Sequence, residues 1–237
     1  MEIVYPLNDW SKLHNGLPGI SVRQHLLTVA SVAEALLHCY PSVCKRCGIT
    51  ISALLFLAAS HDVGKLSLDF LQKSSIWLAR QGLEKKAVQG DWKTIYNRPH
   101  PRISCDSLYK FLVDRHLARR KSAACWAAVV GAHHGRISKS YSSAPLTLKS
   151  TELLLEGERQ KCLGELWEHF GRPKLPDIQN KDDPALWCLA GLVTLADWIG
   201  SDERFFPPDT PLEAQTLQQR AICVFSKKKQ ARLLPNI

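Results

Sequence analysis

Residues 49–65 read ITISALLFLAASHDVGK, an apolar run that ends in a polar and charged motif. The run is apolar on nearly every side, which predicts a buried helix rather than an amphipathic one. This helix is expected to carry His61 and Asp62 at its carboxyl end, and Gly64 ends the pattern because glycine allows a sharp turn. The stretch therefore predicts a helical core with a histidine–carboxylate pair at its edge.

Helical patterns also occur on both sides of this stretch. Ser21–Gln24 has the sequence of a capping box and opens an amphipathic pattern with His25 on the apolar face. Asp183 and Pro184 are typical of a helix start and open an apolar helix that carries Asp197. Further helices are predicted over Leu66–Arg80, Ile103–Leu117, Ser122–Ala132, Thr151–Phe170 and Gln215–Phe225. No alternating strand pattern is evident, so we expect an all-α fold.

The composition is that of a globular protein. Of 237 residues, 45% are hydrophobic and 22% charged, which argues against disordered and fibrous architectures. The apolar runs Leu54–Ala59 and Leu186–Ala196 are shorter than the ~18 residues that span a bilayer. The start of the chain has no secretory pattern, and the eight cysteines are expected to be reduced thiols. We expect a single cytoplasmic domain over residues 1–237 with no membrane partner.

Basic residues are concentrated between residues 98 and 139. The whole chain has a net charge of +9, and this stretch has nine basic and two acidic residues. Such a distribution favours a polyanionic partner, although basic residues also solvate exposed helix faces. The candidate nucleic-acid-binding residues are Arg98, Arg102, Arg119, Arg120, Lys121, Arg136 and Lys139.

The motif His61-Asp62-Val63-Gly64-Lys65 is chemically specific. By composition, the pattern H-D-x-G-K, with any residue at x, is expected by chance roughly 0.002 times in such a chain. Adjacent helical residues point about 100° apart, so the imidazole and the carboxylate can reach two neighbouring metal ions, with the carboxylate bridging them. Lys65 adds a compact positive charge where a phosphate oxygen could bind. A hydrogen-bonded core histidine is the alternative interpretation of His61 taken alone.

The order of histidines and aspartates resembles that of the HD-domain metal-dependent phosphohydrolases, a helical-bundle superfamily. That order is His25, His61-Asp62, His100, His133-His134 and Asp197. The chain is more narrowly similar to the HD nuclease domain of the type I CRISPR-associated nuclease–helicase. The specific matches are an H-x-x-x-S element at residues 100–104, the sequence HHG at 133–135, and LADWIGS at 195–201 followed by ERFFP at 203–207. The matching elements run from about residue 10 to 207, and residues 208–237 form a basic extension.

The resemblance implies a single-domain HD bundle that binds two divalent metal ions. One ion would be held by His25, His61, Asp62 and Asp197. The other would be held by the bridging Asp62 with His100, His133 and His134. Asp62 and Lys65 would be the catalytic residues. Imidazole-rich ligation favours Mn, Fe, Co or Ni, with Mg as an alternative.

The function that the resemblance implies is a metal-dependent endonuclease, with exonuclease activity as an addition, in CRISPR interference, an antiviral defence. It would cut mainly single-stranded DNA. Its partners would be a CRISPR helicase domain or subunit and the RNA-guided surveillance complex. The helicase phosphate-loop sequence G-x-x-x-x-G-K-[ST] does not occur here, so we expect a stand-alone subunit or a domain of a longer protein. The alternatives are an HD phosphohydrolase of nucleotides or cyclic nucleotides, and a degenerate, non-catalytic binding module.

Overall fold

The computed structural model describes residues 9–83, 99–135, 150–178, 180 and 182–231. Their regular structure is α-helical apart from one 3₁₀ turn and one antiparallel hairpin, β1 (Leu13–His14) and β2 (Leu17–Pro18). The 3₁₀ turn, Val63–Lys65, is called the HD turn below. The helices are α1 (Val22–Leu37), α2 (Val43–Arg46), α3 (Ile51–Ser60), α4 (Leu68–Leu71), α5 (Ser75–Arg80), α6 (His100–Asp114), α7 (Arg120–Gly131), α8 (Ser150–His169), α9 (Pro184–Gly200) and α10 (Ala214–Ala231). The predicted all-α bundle is confirmed.

Helix α3 is the centre of the bundle. Its hydroxyl cap Thr50 accepts a hydrogen bond from the Ala53 amide, and every residue from Ala53 to Ser60 is buried. Helices α1, α7, α8 and α9 all contact it. An apolar helix with neighbours on all sides needs no polar face, which explains its continuous hydrophobic sequence. This packing places His61, the residue after α3, in the interior of the bundle.

Two local predictions differ from the structure. The helix predicted over Leu66–Arg80 is divided into α4 and α5, because the Ser74 hydroxyl accepts a hydrogen bond from the Trp77 amide and starts a new helix. The small hairpin was not predicted. Its turn is formed by Asn15 and Gly16, which both have positive φ angles, 51° and 78°. Asn-Gly is the residue pair that favours such a turn, so a signal for the hairpin was present in the sequence.

The last described helix, α10, packs against α1 and buries Leu217, Ala221 and Val224. Among the described residues, none of the helices has both the length and the apolar character that a membrane span requires.

Candidate metal centre

The structure brings all seven predicted metal ligands into one place, called the His–Asp cluster below. Five helices and the HD turn meet there, so residues far apart in the sequence become neighbours. The members lie on α1 (His25), after α3 (His61 and Asp62), at the start of α6 (His100), after α7 (His133 and His134) and on α9 (Asp197). His134 is the exposed member, and His100 and Asp197 are half-buried. The cluster is therefore accessible from one side.

His25, His61, Asp62 and Asp197 form a first group of ligand atoms, called the buried group below because all its members except the half-buried Asp197 are buried. His25 Nε2 lies 3.2 Å from Asp62 Oδ2 and 3.6 Å from Asp197 Oδ1. His61 Nε2 lies 3.3 Å from each of the same two oxygens. Ligand atoms bound to one ion at about 2.1 Å lie roughly 3.0 to 3.4 Å apart, and three of these four distances fall in that range, so the buried group is close to the dimensions of a metal site.

The other three residues, His100, His133 and His134, form a histidine triad with ligand atoms within 4.8 Å of one another. His100 Nε2 and His134 Nε2 are 3.2 Å apart. Asp62 Oδ1 faces the triad, 3.3 Å from His100 Nε2 and 3.1 Å from His133 Nε2. The two oxygens of Asp62 therefore face different sets of ligand atoms, which is the arrangement of a bridging carboxylate.

Backbone carbonyls orient two of the histidines. His61 Nδ1 lies 2.8 Å from the Ala58 carbonyl oxygen, and His133 Nδ1 lies 2.8 Å from the Val130 carbonyl oxygen. An imidazole that donates from Nδ1 presents the lone pair of Nε2, the tautomer that a metal ligand requires. Among the described residues, His61 Nε2, His133 Nε2 and Asp62 Oδ1 are buried atoms without a hydrogen bond. Buried polar atoms are normally satisfied, so these three fit the coordination of a cation.

The carboxylates of the cluster are strongly acidic. Burial alone would raise the pKa of Asp62, but the charges of Lys65 and His61 hold that pKa well below its usual range. Burial also opposes ionisation of Asp197, yet the neighbouring imidazoles of His25 and His61 lower its pKa. Both carboxylates are therefore ionised at neutral pH and provide negative charge for a cation.

The histidines of the buried group differ in their affinity for protons. Burial would lower the pKa of His61, but Asp62 and Asp197 outweigh it and raise the pKa to about 10. Burial and the charge of Lys65 lower the pKa of His25. In the metal-free protein, His61 thus carries a proton between two carboxylates, and a bound metal ion must displace that proton.

The HD turn is packed tightly against α6. The Gly64 amide donates a hydrogen bond to Ser104 Oγ at 2.8 Å. A Cβ atom at Gly64 would lie 2.1 Å from the His100 carbonyl oxygen, so only glycine permits this approach. His100 and Ser104 are one helical turn apart, which explains the H-x-x-x-S spacing: one residue joins the cluster and the other binds the turn.

Lys65 lies at the edge of the cluster, with Nζ 2.6 Å from Asp62 Oδ2. Two contacts around Asp197 were not predicted. Ser201 Oγ donates to Asp197 Oδ1 at 3.0 Å, and Lys12 Nζ donates to the Ser201 carbonyl oxygen at 2.5 Å. Ser201 lies one turn after Asp197, a spacing that could have indicated the contact, whereas nothing in the sequence around Lys12 indicates its position.

The predicted nucleic-acid-binding residues are dispersed. Arg102 pairs with Asp106, with Arg102 Nε 3.1 Å from Asp106 Oδ1. Arg119, Arg120 and Lys121, called the basic cluster below, are exposed at the start of α7. His133 and His134 follow the other end of this helix, so its twelve residues separate the two clusters by about 18 Å. Arg98, Arg136 and Lys139 lie outside the described residues.

The helical bundle with its His–Asp cluster defines the class: an HD-type domain. The family described as "Cas3, HD domain" matches residues 10–206, and the chain belongs to this family. Over 214 residues it is 28% identical to the CRISPR-associated endonuclease/helicase Cas3 of Thermus thermophilus, covering 84% of this chain and 22% of that protein. It is 27% identical over 198 residues to the CRISPR-associated nuclease/helicase Cas3 of Streptococcus thermophilus, covering 75% and 21%. The chain spans about a fifth of the length of these relatives.

Solved structures show the same fold. The Thermus thermophilus Cas3 HD domain, crystallised in the presence of Ni²⁺, superimposes with a TM-score of 0.64 at 22% identity, covering 97% of this chain and 91% of that one. The T. fusca Cas3–AMPPNP structure has a TM-score of 0.63 at 22% identity, covering 94% and 26%. At these identities the similarity establishes the HD-domain fold.

Proposed function

We propose that this chain is a metal-dependent nuclease domain that hydrolyses phosphodiester bonds in single-stranded DNA, as the nuclease part of CRISPR interference. The observation that carries the proposal is the carboxylate of Asp62, which has one oxygen at the buried group and the other at the histidine triad. A shared carboxylate of this kind is typical of sites that hold two ions close together. Membership of the Cas3 HD family supports the same chemistry.

In this proposal the buried group holds one ion and the histidine triad, with Asp62, holds the other. Two divalent ions held by these residues would stabilise the charge that develops on a phosphodiester and would activate a water molecule for attack. Lys65, next to Asp62, stabilises the negative charge that develops on the phosphate. The exposed side of the cluster, at His134, admits the nucleic acid strand.

The donor set favours transition metals. Five of the seven predicted ligands are imidazoles. Imidazole nitrogen suits Mn, Fe, Co and Ni, whereas Mg²⁺ prefers oxygen ligands and water. The presence of Ni²⁺ with the similar Thermus thermophilus HD domain is compatible with this choice.

The proposed partners follow from the relatives. Both curated relatives are named as CRISPR-associated enzymes that combine a nuclease with a helicase, and the chain corresponds to about a fifth of their length. A CRISPR RNA-guided surveillance complex in a pre-nicking state contains a chain that matches with a TM-score of 0.65 at 22% identity. We therefore propose a CRISPR helicase and the surveillance complex as partners, and strand separation by the helicase as the source of the single strand.

The test is cleavage of circular DNA by the purified protein. Single-stranded circles are incubated with Mn, Fe, Co, Ni or Mg salts in turn, beside a chelator control and the Asp62→Ala variant. We expect single-stranded circles to be cut with a transition metal, and relaxed duplex circles to stay largely intact because no helicase opens them. Rapid loss of duplex circles would contradict the strand preference. Hydrolysis of cyclic nucleotides without any DNA cleavage would favour the nucleotide phosphohydrolase instead.

A further inference from the structure

A buried ion pair outside the His–Asp cluster contacts the residue that follows the HD turn. Glu156 and Arg159 lie on α8 and are only 9% and 2% exposed. Arg159 Nε donates to Glu156 Oε2 at 2.8 Å and to Ser107 Oγ at 3.0 Å. Arg159 Nη1 donates to the Leu66 carbonyl oxygen at 2.5 Å. The guanidinium thus links α8 and α6 to the chain immediately after Lys65.

Both members of this ion pair lie on one helix, so the pair itself joins no two helices, and its burial costs free energy. Desolvation of the two charges cancels much of their attraction, and apolar residues of similar volume often stabilise a core as well. An arginine can hold several acceptors in fixed relative positions, because its planar guanidinium directs several donors at fixed angles. Here Nε is fixed by Glu156 and Ser107, which determines where Nη1 holds the Leu66 carbonyl.

The backbone is held on both sides of Lys65. On one side the Gly64 amide donates to Ser104 Oγ, and on the other side the Leu66 carbonyl accepts from Arg159. Ser104 and Ser107 are three residues apart on α6, so one face of that helix serves both contacts. Lys65 is thereby fixed with its ammonium 2.6 Å from Asp62 Oδ2.

We propose that Arg159 is a positioning residue for Lys65: by holding the Leu66 carbonyl, it fixes the HD turn so that the Lys65 ammonium stays at the phosphate-binding side of the His–Asp cluster. This inference rests on the proposed nuclease function for its catalytic consequence. The contact itself can be tested separately from activity.

The first test compares turnover of single-stranded DNA by Arg159→Met and by a matched control. Methionine keeps the length of the side chain and removes its donors. We expect kcat to fall about tenfold to a hundredfold, since small displacements of a catalytic group have effects of this size, with an unchanged metal content. The control is Arg172→Met, which removes the exposed Glu168–Arg172 pair at the end of α8 and is expected to leave kcat unchanged.

A double variant separates positioning from general loss of stability. The Lys65→Met variant has no ammonium group left to misplace. We therefore expect the additional change Arg159→Met to lower the kcat of this variant by less than about twofold. The same fold reduction in both backgrounds would overturn the proposal. If Arg159→Met does not fold, Arg159→Lys is used in its place, because a single ammonium keeps the charge but lacks the planar fork.

Hydrogen exchange tests the contact without any reaction. In Arg159→Met we expect the peptide that covers residues 62–68 to exchange at least about tenfold faster, with peptides from α9 unchanged. Exchange at the wild-type rate would overturn the proposal. If the wild-type protein cuts no DNA, the proposed function fails, and the exchange experiment still reports whether Arg159 holds the HD turn.

Discussion

At the scale of single residues, the two oxygens of Asp62 have different neighbours. Oδ2 lies near the imidazoles of His25 and His61, and Oδ1 lies near those of His100 and His133. His100, by contrast, belongs to the histidine triad alone. Loss of Asp62 therefore affects both proposed ions, whereas loss of His100 affects one.

From this difference we predict that Asp62→Ala reduces the metal content more than His100→Ala does, and lowers nuclease activity about 100-fold or more. Elemental analysis of the two purified variants measures the metal, and cleavage of circular single-stranded DNA measures the activity. Equal metal content in the wild type and Asp62→Ala would contradict a bridging role.

His61 predicts how the stability of the metal-free protein depends on pH. Its pKa is about 10 in the folded chain, despite the opposing effect of burial, and about 6.5 when unfolded. Between pH 7 and pH 8.5 the folded state holds a proton that the unfolded state releases. The free energy of unfolding is then expected to fall as pH rises, by at most about 1.4 kcal/mol per pH unit. Denaturant titrations in the presence of a chelator at several pH values measure this slope.

The metal provides the control for this prediction. Binding requires deprotonated histidines, so the stabilisation that a divalent ion gives is expected to increase over the same pH range. A metal-free protein that becomes more stable between pH 7 and pH 8.5 would contradict the protonated state assigned to His61.

At the scale of elements, the helices with a regular apolar pattern were predicted from the sequence. The break between α4 and α5 was not. Helix α3 and the motif after it have a continuous apolar sequence, so their place in the core follows from the residues alone. Helix α6 begins at His100, three residues before the predicted start at Ile103. Pro101 lies in its first turn, where proline is favoured, so the sequence contained the correct signal.

Contacts between elements could not be predicted from local patterns. The spacing of His100 and Ser104 indicates that they share a helical face, but not that Ser104 binds the Gly64 amide. Arg159 is 93 residues from Leu66 in the sequence, and their hydrogen bond depends on how α8 packs against the HD turn. The ligand set was indicated by resemblance to a family, whereas the positioning contacts required the three-dimensional structure.

At the scale of the whole molecule, the length of one helix separates the exposed basic residues from the proposed metal ligands. The basic cluster lies at the start of α7 and the histidine triad meets the other end, about 18 Å away. Arg119 is 83% exposed, and its Nη1 is 3.8 Å from Asp177 Oδ2, a pair too exposed to bind the guanidinium firmly. A DNA strand that reaches the His–Asp cluster could therefore contact these residues several nucleotides away from the cleaved bond.

We predict that replacing all three residues of the basic cluster by alanine weakens single-stranded DNA binding and flattens its dependence on salt. Each lost phosphate contact lowers the slope of log K against log salt by about 0.7, so three contacts give a change of about 2. Titrations of labelled single strands at several salt concentrations measure the slope. Hydrolysis of bis-p-nitrophenyl phosphate is expected to remain at the wild-type rate, because so small a substrate cannot span the distance to the basic cluster.

A matched variant controls for the loss of charge itself. Alanine at Lys45, Arg46 and Lys174, which are also exposed, removes the same three charges from other parts of the surface. We expect this control to change the salt slope by less than the basic-cluster variant does, because long-range charge is screened within about 10 Å at 0.1 M salt. If the basic-cluster variant keeps the wild-type affinity and slope, its residues only solvate the start of α7. The DNA contacts must then be sought at Arg102 and at Arg98, Arg136 and Lys139.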